Sequence, residues 1–253
     1  MERITAAIED YRLLDPSIDS GILLNAESWP VCLLRALPTL LMKLLERVSG
    51  ISLERLQLIH VEIELHKASG HESAPFADAQ MSRERSATHR LLKLSGTLAT
   101  KGGLALKLCV TYAERGAKKY AKPQIDEEGL SPYAKKSLSA EDIKVFLKAL
   151  GQDNRFFYDA EIARLNGLPN LFVPAPLLIF ELISEAHKLM KKEARFYYFT
   201  FLEAIPLDHE LSLSVAESEN GLTLVMKAGP NEAVQLRSFD NRLSAEPALN
   251  QSI

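Results

Sequence analysis

The feature that most constrains this chain is an order of hydrophobic patterns that occurs twice. In the second half, an apolar helical stretch at 175–192 is followed by four short runs of strand character, and in the first half a similar stretch at 29–48 is followed by three longer runs. The strand-like runs are 53–68, 88–101 and 104–114, then 194–204, 209–217, 222–228 and 233–239. A repeated order of this kind predicts two units of one fold.

Alternation within the strand-like runs indicates how each unit buries its apolar side chains. In 53–68, Ile59, Val61 and Ile63 alternate with polar residues, and in 209–217 Leu211 and Leu213 alternate with serines. Such a period of two gives a sheet with one apolar face and one wet face. The apolar helix is the candidate to cover the apolar face. We therefore predict two α+β units, each a curved antiparallel sheet wrapped around a central helix.

The stretch between the two halves predicts a boundary. Residues 114–139 are dense in Lys, Glu, Gly and Pro and contain few large aliphatic residues, as in a solvated connection. We expect an N-terminal domain at 1–115, a linker at 116–138 and a C-terminal domain at 139–253. Ser139 is suited to be the N-cap of a helix, because acidic residues and a helical apolar period follow it.

Composition excludes several classes of function. The formal charge of −3 provides no basic field for nucleic acid. The two cysteines, Cys32 and Cys109, lie in apolar stretches without a partner at ligand spacing, so we predict buried thiols and no metal site. No phosphate-binding glycine loop or dinucleotide motif occurs, and we predict no cofactor. A charged N-terminal stretch and the lack of a spanning apolar run predict a cytoplasmic protein without a membrane partner.

One segment resembles a known family. Residues 150–178, LGQDNRFFYDAEIARLNGLPNLFVPAPLL, resemble the loop and central helix of the MaoC-like hot-dog family of (R)-specific enoyl-thioester hydratases and 3-hydroxyacyl-thioester dehydratases. The matching positions are Gly151, Asn154, Asp159, Ala163, Gly167, Val173, Pro174, Leu177 and Leu178. The resemblance implies an α+β double hot-dog fold. It also implies that a loop Asp and a loop His handle water, while backbone N–H groups at the helix start polarise the thioester carbonyl.

The chain departs from the family pattern at its catalytic positions. The family's Asp falls on Gln152, its His on Phe157 and its usual Pro on Arg155. Neither Gln nor Phe can move a proton. A shift of one residue places Asp153 at the acid position and Tyr158 at the His position. This variant resembles the non-catalytic half of double hot-dog dehydratases, in which one half holds the acyl chain and the other carries the Asp and His.

A histidine of the first half could replace the acid–base group that is missing from the motif. Residues 66–75, HKASGHESAP, fit the pattern of polyketide-synthase dehydratase domains, H-x-x-x-G-x-x-x-x-P. We interpret that match as chance, because a polar loop at 76–86 follows it where the pattern requires the central helix. His60 and His66 also fit the exposed face of an alternating strand.

The predicted catalytic residues are Asp153, Asn154 and His66, and the predicted substrate-binding residues are Gln152, Phe157, Tyr158, Pro174 and Ala175. The alternatives stay open: Asp153 and Asn154 fit a capped turn, and the aromatic residues fit a hydrophobic core.

The predicted function is 3-hydroxyacyl-thioester dehydratase or hydratase activity in fatty-acid or polyketide-type metabolism. The substrate would be carried by CoA or acyl carrier protein, and the assembly partner would be a second copy or another hot-dog protein. The alternative is a non-catalytic acyl-thioester-binding subunit that pairs with a catalytic dehydratase. A thioesterase is the third option.

Overall fold

The structure is a computed structural model, and it describes ten strands and the helices of the second half. The described residues are 3–7, 56–66, 76–85, 90–100, 103–114, 124–125, 127–149, 155–165, 168, 170–190, 194–219 and 221–240. The chain divides into two compact units, Met1–Lys122 with Arg195–Tyr197, and Pro123–Ala194 with Tyr198–Ile253. We call them the first and the second unit. The predicted domain limits at 115 and 139 stay a prediction.

The first unit contains five antiparallel strands. They are β1 (Arg3–Ala7), β2 (Leu56–Leu65), β3 (Phe76–Arg85), β4 (Arg90–Thr100) and β5 (Gly103–Glu114). Their order in the sheet is β1-β3-β4-β5-β2. Ile59, Val61 and Ile63 on β2 are buried and Glu62 is exposed, so the predicted alternation is confirmed. Cys109 on β5 is half-buried, although we predicted a buried thiol.

Two expectations for the first unit need comment. Strand β3 lies where the sequence indicated a polar loop, and this prediction is wrong: β3 pairs with β4 over its full length, from Phe76 to Arg85. Its small and charged residues carry weak strand propensity, and hydrogen bonding to a long neighbouring strand decides the conformation. The predicted helix at 29–48, with Cys32, lies outside the described residues.

The second unit combines helices with five further antiparallel strands. Its elements are β6 (Ser131–Lys136), α1 (Ala140–Ala149), a 3-10 turn (Arg155–Phe157), α2 (Ala160–Leu165), α3 (Ala175–Leu189), β7 (Phe196–Phe201), β8 (Leu211–Ser218), β9 (Gly221–Lys227) and β10 (Ala233–Phe239). The order of the strands is β7-β10-β9-β8-β6. When the strands are numbered in chain order within each unit, both units have the same order across the sheet: first, third, fourth, fifth and second.

Strand β6 falls inside the segment predicted as a linker. It pairs antiparallel with β8, and Lys136 lies opposite Leu211. A strand at the edge of a sheet commonly carries lysine and proline, which discourage pairing with other chains. Strand β6 contains Pro132, Lys135 and Lys136. Because of these residues, the sequence of β6 has the composition of a linker.

The helices of the second unit form as their sequences indicate. The hydroxyl of Ser139 accepts a hydrogen bond from the Asp142 amide at 3.2 Å, and the Asp142 carboxylate accepts one from the Ser139 amide at 2.8 Å. This reciprocal capping box begins α1. Helix α3 packs against β9 and β10 and buries Leu182 and Ala186 completely. None of the described helices is both long and apolar enough to cross a bilayer.

Candidate functional site

The start of α3 is the part of the second unit to which the family motif assigns the thioester carbonyl. Pro174 is the N-cap, with φ −61° and ψ 134°, and no side chain caps the helix. The amides of Leu177 and Leu178 donate to the Pro174 carbonyl at 3.0 and 3.2 Å. Pro176 has no N–H group, so Ala175 provides the first-turn amide that α3 itself does not use. An amide at this position can polarise a carbonyl oxygen.

A short ladder holds the residues that lead into α3. Phe172 bridges Pro206 in antiparallel fashion, and the Val173 amide donates to the Ile205 carbonyl at 2.9 Å. The Leu207 amide donates to the Leu171 carbonyl at the same distance. The backbone on both sides of this bridge is therefore fixed, and the helix start has a defined position within the second unit.

The 3-10 turn carries the predicted aromatic binding residues. Phe157 and Tyr158 are half-buried, and the rings of Phe156 and Phe157 lie 4.1 Å apart. These side chains are therefore neither fully in the core nor free in solvent, which leaves both of their predicted roles open. Gln152, Asp153 and Asn154 lie outside the described residues.

Asp159, which is one of the positions that match the motif, has a structural role here. Its Oδ1 accepts hydrogen bonds from the amides of Glu161 and Ile162 at 3.1 and 3.2 Å, and Arg155 Nη2 lies 2.8 Å from Oδ2. The Ile162 amide, followed by Arg155 and the Glu161 amide, holds the pKa of the Asp159 carboxyl below its usual range. Asp159 is thus an ionised N-cap of α2, which is the wrong protonation state for a general acid.

Sequence reasoning missed a cluster of charges on α3 that we call the helix ion cluster, formed by Lys136, Glu181, Glu185 and Lys188. Lys136 Nζ lies 2.5 Å from Glu181 Oε2 and 2.7 Å from Glu185 Oε1, and Lys188 Nζ lies 2.9 Å from Glu185 Oε1. The Glu185 side chain is only 4% exposed. The four charges balance, as a buried carboxylate requires.

The protonation of the helix ion cluster follows from its contacts. Burial alone would raise the pKa of Glu185, but the hydrogen bonds from Lys136 and Lys188 outweigh it and lower the pKa. Burial alone would lower the pKa of Lys136, and the bonds to Glu181 and Glu185 raise it instead. Both groups are therefore charged near neutral pH. The four-residue spacing of Glu181 and Glu185 on an apolar helix was the available sequence signal.

His66, the predicted catalytic residue of the first unit, follows directly after β2. Its Nε2 lies 3.0 Å from Glu64 Oε1, and Lys107 Nζ lies 3.2 Å from Glu64 Oε2. The Nε2 atom is buried and makes no hydrogen bond within the part of the chain that the structure describes. The exposed fractions are 31% for His66 and 21% for Glu64. Among the residues that the structure describes, no three His, Cys, Asp or Glu side chains converge as metal ligands.

Comparisons with known proteins identify the fold. No protein-family model and no curated protein sequence matches the chain. The structure is similar to that of HtdX of Mycobacterium tuberculosis, with TM-score 0.62, 12% identity and coverage of 81% of this chain and 83% of that chain. It is also similar to a MaoC-like dehydratase from Phytophthora capsici, with TM-score 0.60, 11% identity and coverage of 76% of this chain and 74% of that chain. For an acyl-ACP thioesterase from Bacteroides thetaiotaomicron, the TM-score is 0.53 at 13% identity, with coverage of 94% of this chain and 96% of that chain.

These likenesses confirm the double hot-dog fold that the motif at 150–178 predicted. The chain has the α+β fold of MaoC-like dehydratases, which an acyl-ACP thioesterase shares. At these identities the likeness establishes the fold, and one fold of this kind can support several reactions. The reaction has to be argued from the residues of the site.

Proposed function

We propose that this protein acts on acyl thioesters of CoA or acyl carrier protein, and that it interconverts 2-enoyl and 3-hydroxyacyl thioesters. The observation that carries the proposal is the start of α3. Val173 and Pro174, two residues of the motif, lead directly into a helix without a side-chain cap, and the internal hydrogen bonds of this helix do not use the Ala175 amide. Leu177 and Leu178, two further motif residues, are buried in the first turns of the same helix.

The proposal assigns roles to the predicted residues. Ala175 polarises the thioester carbonyl, and Pro174, Gln152, Phe157 and Tyr158 bind the acyl thioester. Of the predicted catalytic residues, Asn154 holds the water and Asp153 moves its proton, while the catalytic role of His66, which belongs to the first unit, stays a prediction. In the hydration direction the water oxygen bonds to C3 while the C2 carbon receives a proton, so that the carbonyl transiently carries additional negative charge.

The direct test is hydration of crotonyl-CoA by the purified protein, measured as the decrease in absorbance of the enoyl thioester. We expect turnover, and we expect Asp153→Asn to lower kcat by about a hundredfold, in the range of general acid–base catalysis. Glu217→Gln is the control, since Glu217 is an exposed residue on β8. Full activity of Asp153→Asn would contradict the assignment of this residue.

A second candidate is a non-catalytic acyl-thioester-binding subunit, and Phe157 favours it. The family's His position holds a phenyl ring that contacts Phe156, and a phenyl ring cannot transfer a proton. Calorimetric binding of crotonyl-CoA without turnover, followed by turnover once a catalytic hot-dog partner is added, would support this function over the first.

The thioesterase option is supported by the structural likeness to an acyl-ACP thioesterase. Release of free CoA thiol from crotonyl-CoA, measured with a thiol reagent, distinguishes hydrolysis from hydration because hydration leaves the thioester intact. We expect no thiol release above the uncatalysed rate.

A further inference from the structure

The surface of helix α3 has three parts that differ in burial and charge. One part is almost completely buried and carries Leu178, Leu182 and Ala186. A second part carries the two glutamates and the lysine of the helix ion cluster. The third part carries Pro176, Phe180 and Ser184, which are half-buried and uncharged. They follow one another at four-residue spacing and therefore lie on one stripe of the helix. We call these three residues the open stripe.

Helix α1 closes the open stripe at Phe180. The ring centroids of Phe146 on α1 and Phe180 on α3 lie 6.0 Å apart, with 50° between the ring planes. Phe146 is 8% exposed, so its ring is held firmly in place. Helix α1 also packs against the 3-10 turn that carries Phe157. The open stripe and this predicted substrate-binding residue therefore adjoin the same helix of the second unit.

The helix itself provides a scale for the length of the open stripe. Phe180 follows Ala175 by five residues, which corresponds to about 7.5 Å along the helix axis. Helical side chains lean towards the N-terminus, so the Phe180 ring lies about one residue closer to the Ala175 amide. An extended alkyl chain advances by roughly 1.3 Å per carbon, so about five carbons beyond the thioester carbon fit before the ring.

We propose that the acyl chain of the substrate lies along the open stripe, and that the Phe146–Phe180 ring pair ends its path. The inference rests on the proposed function and names its substrate class, short-chain 2-enoyl thioesters. A path along Leu178 and Leu182 would displace closely packed side chains. A path along the helix ion cluster would remove water from charged groups. The open stripe avoids both costs.

The chain-length profile of the wild-type protein is the first test. The measurement is kcat/KM for crotonyl-CoA, 2-hexenoyl-CoA and 2-octenoyl-CoA. We expect the first two values to agree within about threefold and the third to be lower by about thirtyfold or more, because one misfitting methylene group already costs about tenfold. A wild-type protein that hydrates 2-octenoyl-CoA as efficiently as crotonyl-CoA would overturn the inference.

Substitution of Phe180 tests the end of the path. Phe180→Ala should raise the ratio of the octenoyl to the crotonyl kcat/KM by about thirtyfold, because the chain then extends to Ser184. Phe180→Trp should lower the ratio of the hexenoyl to the crotonyl value by about tenfold, since the larger ring shortens the path. The control is Phe239→Ala, which removes a half-buried ring at the end of β10 and should change neither ratio.

Thermal melts establish that each variant is folded. Unchanged ratios in a folded Phe180→Ala variant would overturn the inference. Phe180→Trp keeps an aromatic ring at this position, so it supplies the same decision if Phe180→Ala does not fold. A Phe239→Ala variant with the same change of ratios as Phe180→Ala would also contradict the inference, because the effect would then not belong to the open stripe.

Binding separates this inference from the proposed function. Efficient hydration of 2-octenoyl-CoA overturns the chain-length limit and leaves the proposed function in place. If none of the three substrates is hydrated, the proposed function fails, and calorimetry with hexanoyl-CoA and octanoyl-CoA decides the inference. Octanoyl-CoA that binds at least about tenfold more weakly than hexanoyl-CoA supports the limit. Equal affinities, or no binding of either ligand, overturn it.

Discussion

The two units share one strand order and place their charged groups in different parts of the fold. In the first unit, Glu64, His66 and Lys107 lie on neighbouring strands, where each side chain is one fifth to one half exposed. In the second unit, the helix ion cluster joins the edge strand β6 to the central helix, and Glu185 is almost fully buried. The same topology therefore carries a partly exposed set of charges in one unit and a set built around one buried carboxylate in the other.

The second strands of the two units show why this difference arises. In β2, buried apolar residues alternate with polar residues, which leaves one wet face for Glu64. In β7, every residue from Tyr197 to Phe201 is buried, so the strand carries no charge on either face. Strand β7 therefore offers no wet face to a charge, and the buried Glu185 on α3 needs partners that compensate for its lost hydration.

The largest effect that this comparison predicts is the loss of Lys136. Lys136→Met should lower the free energy of unfolding of the protein by about 3 kcal/mol, because it leaves buried Glu185 with Lys188 alone. Lys135→Met is a matched control on the adjacent residue, since the Lys135–Glu210 pair is 70% and 64% exposed and should contribute less than about 1 kcal/mol. Chemical denaturation measures both. Equal losses from the two variants would contradict the distinction between buried and solvated pairs.

The pH dependence of stability should reveal the same cluster. Because the pKa of Glu185 is lowered from its ordinary value of 4.5, its ionised form stabilises the folded state at pH values above 4.5, and this contribution disappears as pH falls through the folded pKa. Because the pKa of Lys136 is raised from its ordinary value of 10.5, its charged form stabilises the folded state at pH values below 10.5, and this contribution disappears as pH rises through the folded pKa. The stability difference between wild type and Lys136→Met should therefore be largest between these values. A difference that is independent of pH from acid to alkaline conditions would contradict the assignment.

A smaller effect should come from the N-cap of α1. Ser139→Ala removes the hydroxyl that accepts from the Asp142 amide and should cost about 1 kcal/mol of unfolding free energy. Ser212→Ala is the control, because Ser212 is an exposed serine on a strand whose hydroxyl bonds only to the Lys227 carbonyl at 3.3 Å among the contacts of the described residues. If both substitutions have the same effect on the denaturation midpoint, the capping box does not stabilise α1.

The smallest stability effect should come from Lys107 in the first unit. Lys107→Met should change the unfolding free energy by less than about 1 kcal/mol, because its side chain is 44% exposed and its interaction with Glu64 is screened by solvent. A loss as large as that of Lys136→Met would show that the two charged sets do not differ in the way described above.

The sequence predicted the elements whose apolar residues recur at a regular spacing and missed the strands that lack such a pattern. The periods of α1, α3 and β7–β10 were visible because their apolar residues recur at helical or strand spacing. Strands β1, β3 and β6 were missed, since β1 and β6 lie at the ends of the strand order and β3 is rich in small and charged residues. Their conformation depends on hydrogen bonds to neighbours distant in sequence, which a local pattern does not contain.

The candidate site was predictable to a similar extent. The motif identified the helix start at Pro174 and Ala175, because a loop followed by an apolar helix leaves a clear local pattern. It could not identify the partnership of Lys136 with Glu181 and Glu185, since these residues are 45 and 49 positions apart and meet only through the tertiary fold. The contact between Glu64 and Lys107 depends on strand register in the same way.

The most direct test of the central claim removes the Ala175 amide without removing the helix. Proline is well tolerated at the first position of a helix, and the extended ψ of Pro174 suits a residue that precedes proline. The measurement is kcat/KM for crotonyl-CoA in wild type, Ala175→Pro and Ala175→Gly, which retains the amide. We predict a loss of about a hundredfold in Ala175→Pro and less than about threefold in Ala175→Gly. Wild-type kcat/KM in a folded Ala175→Pro variant would contradict the claim that this helix start polarises the thioester.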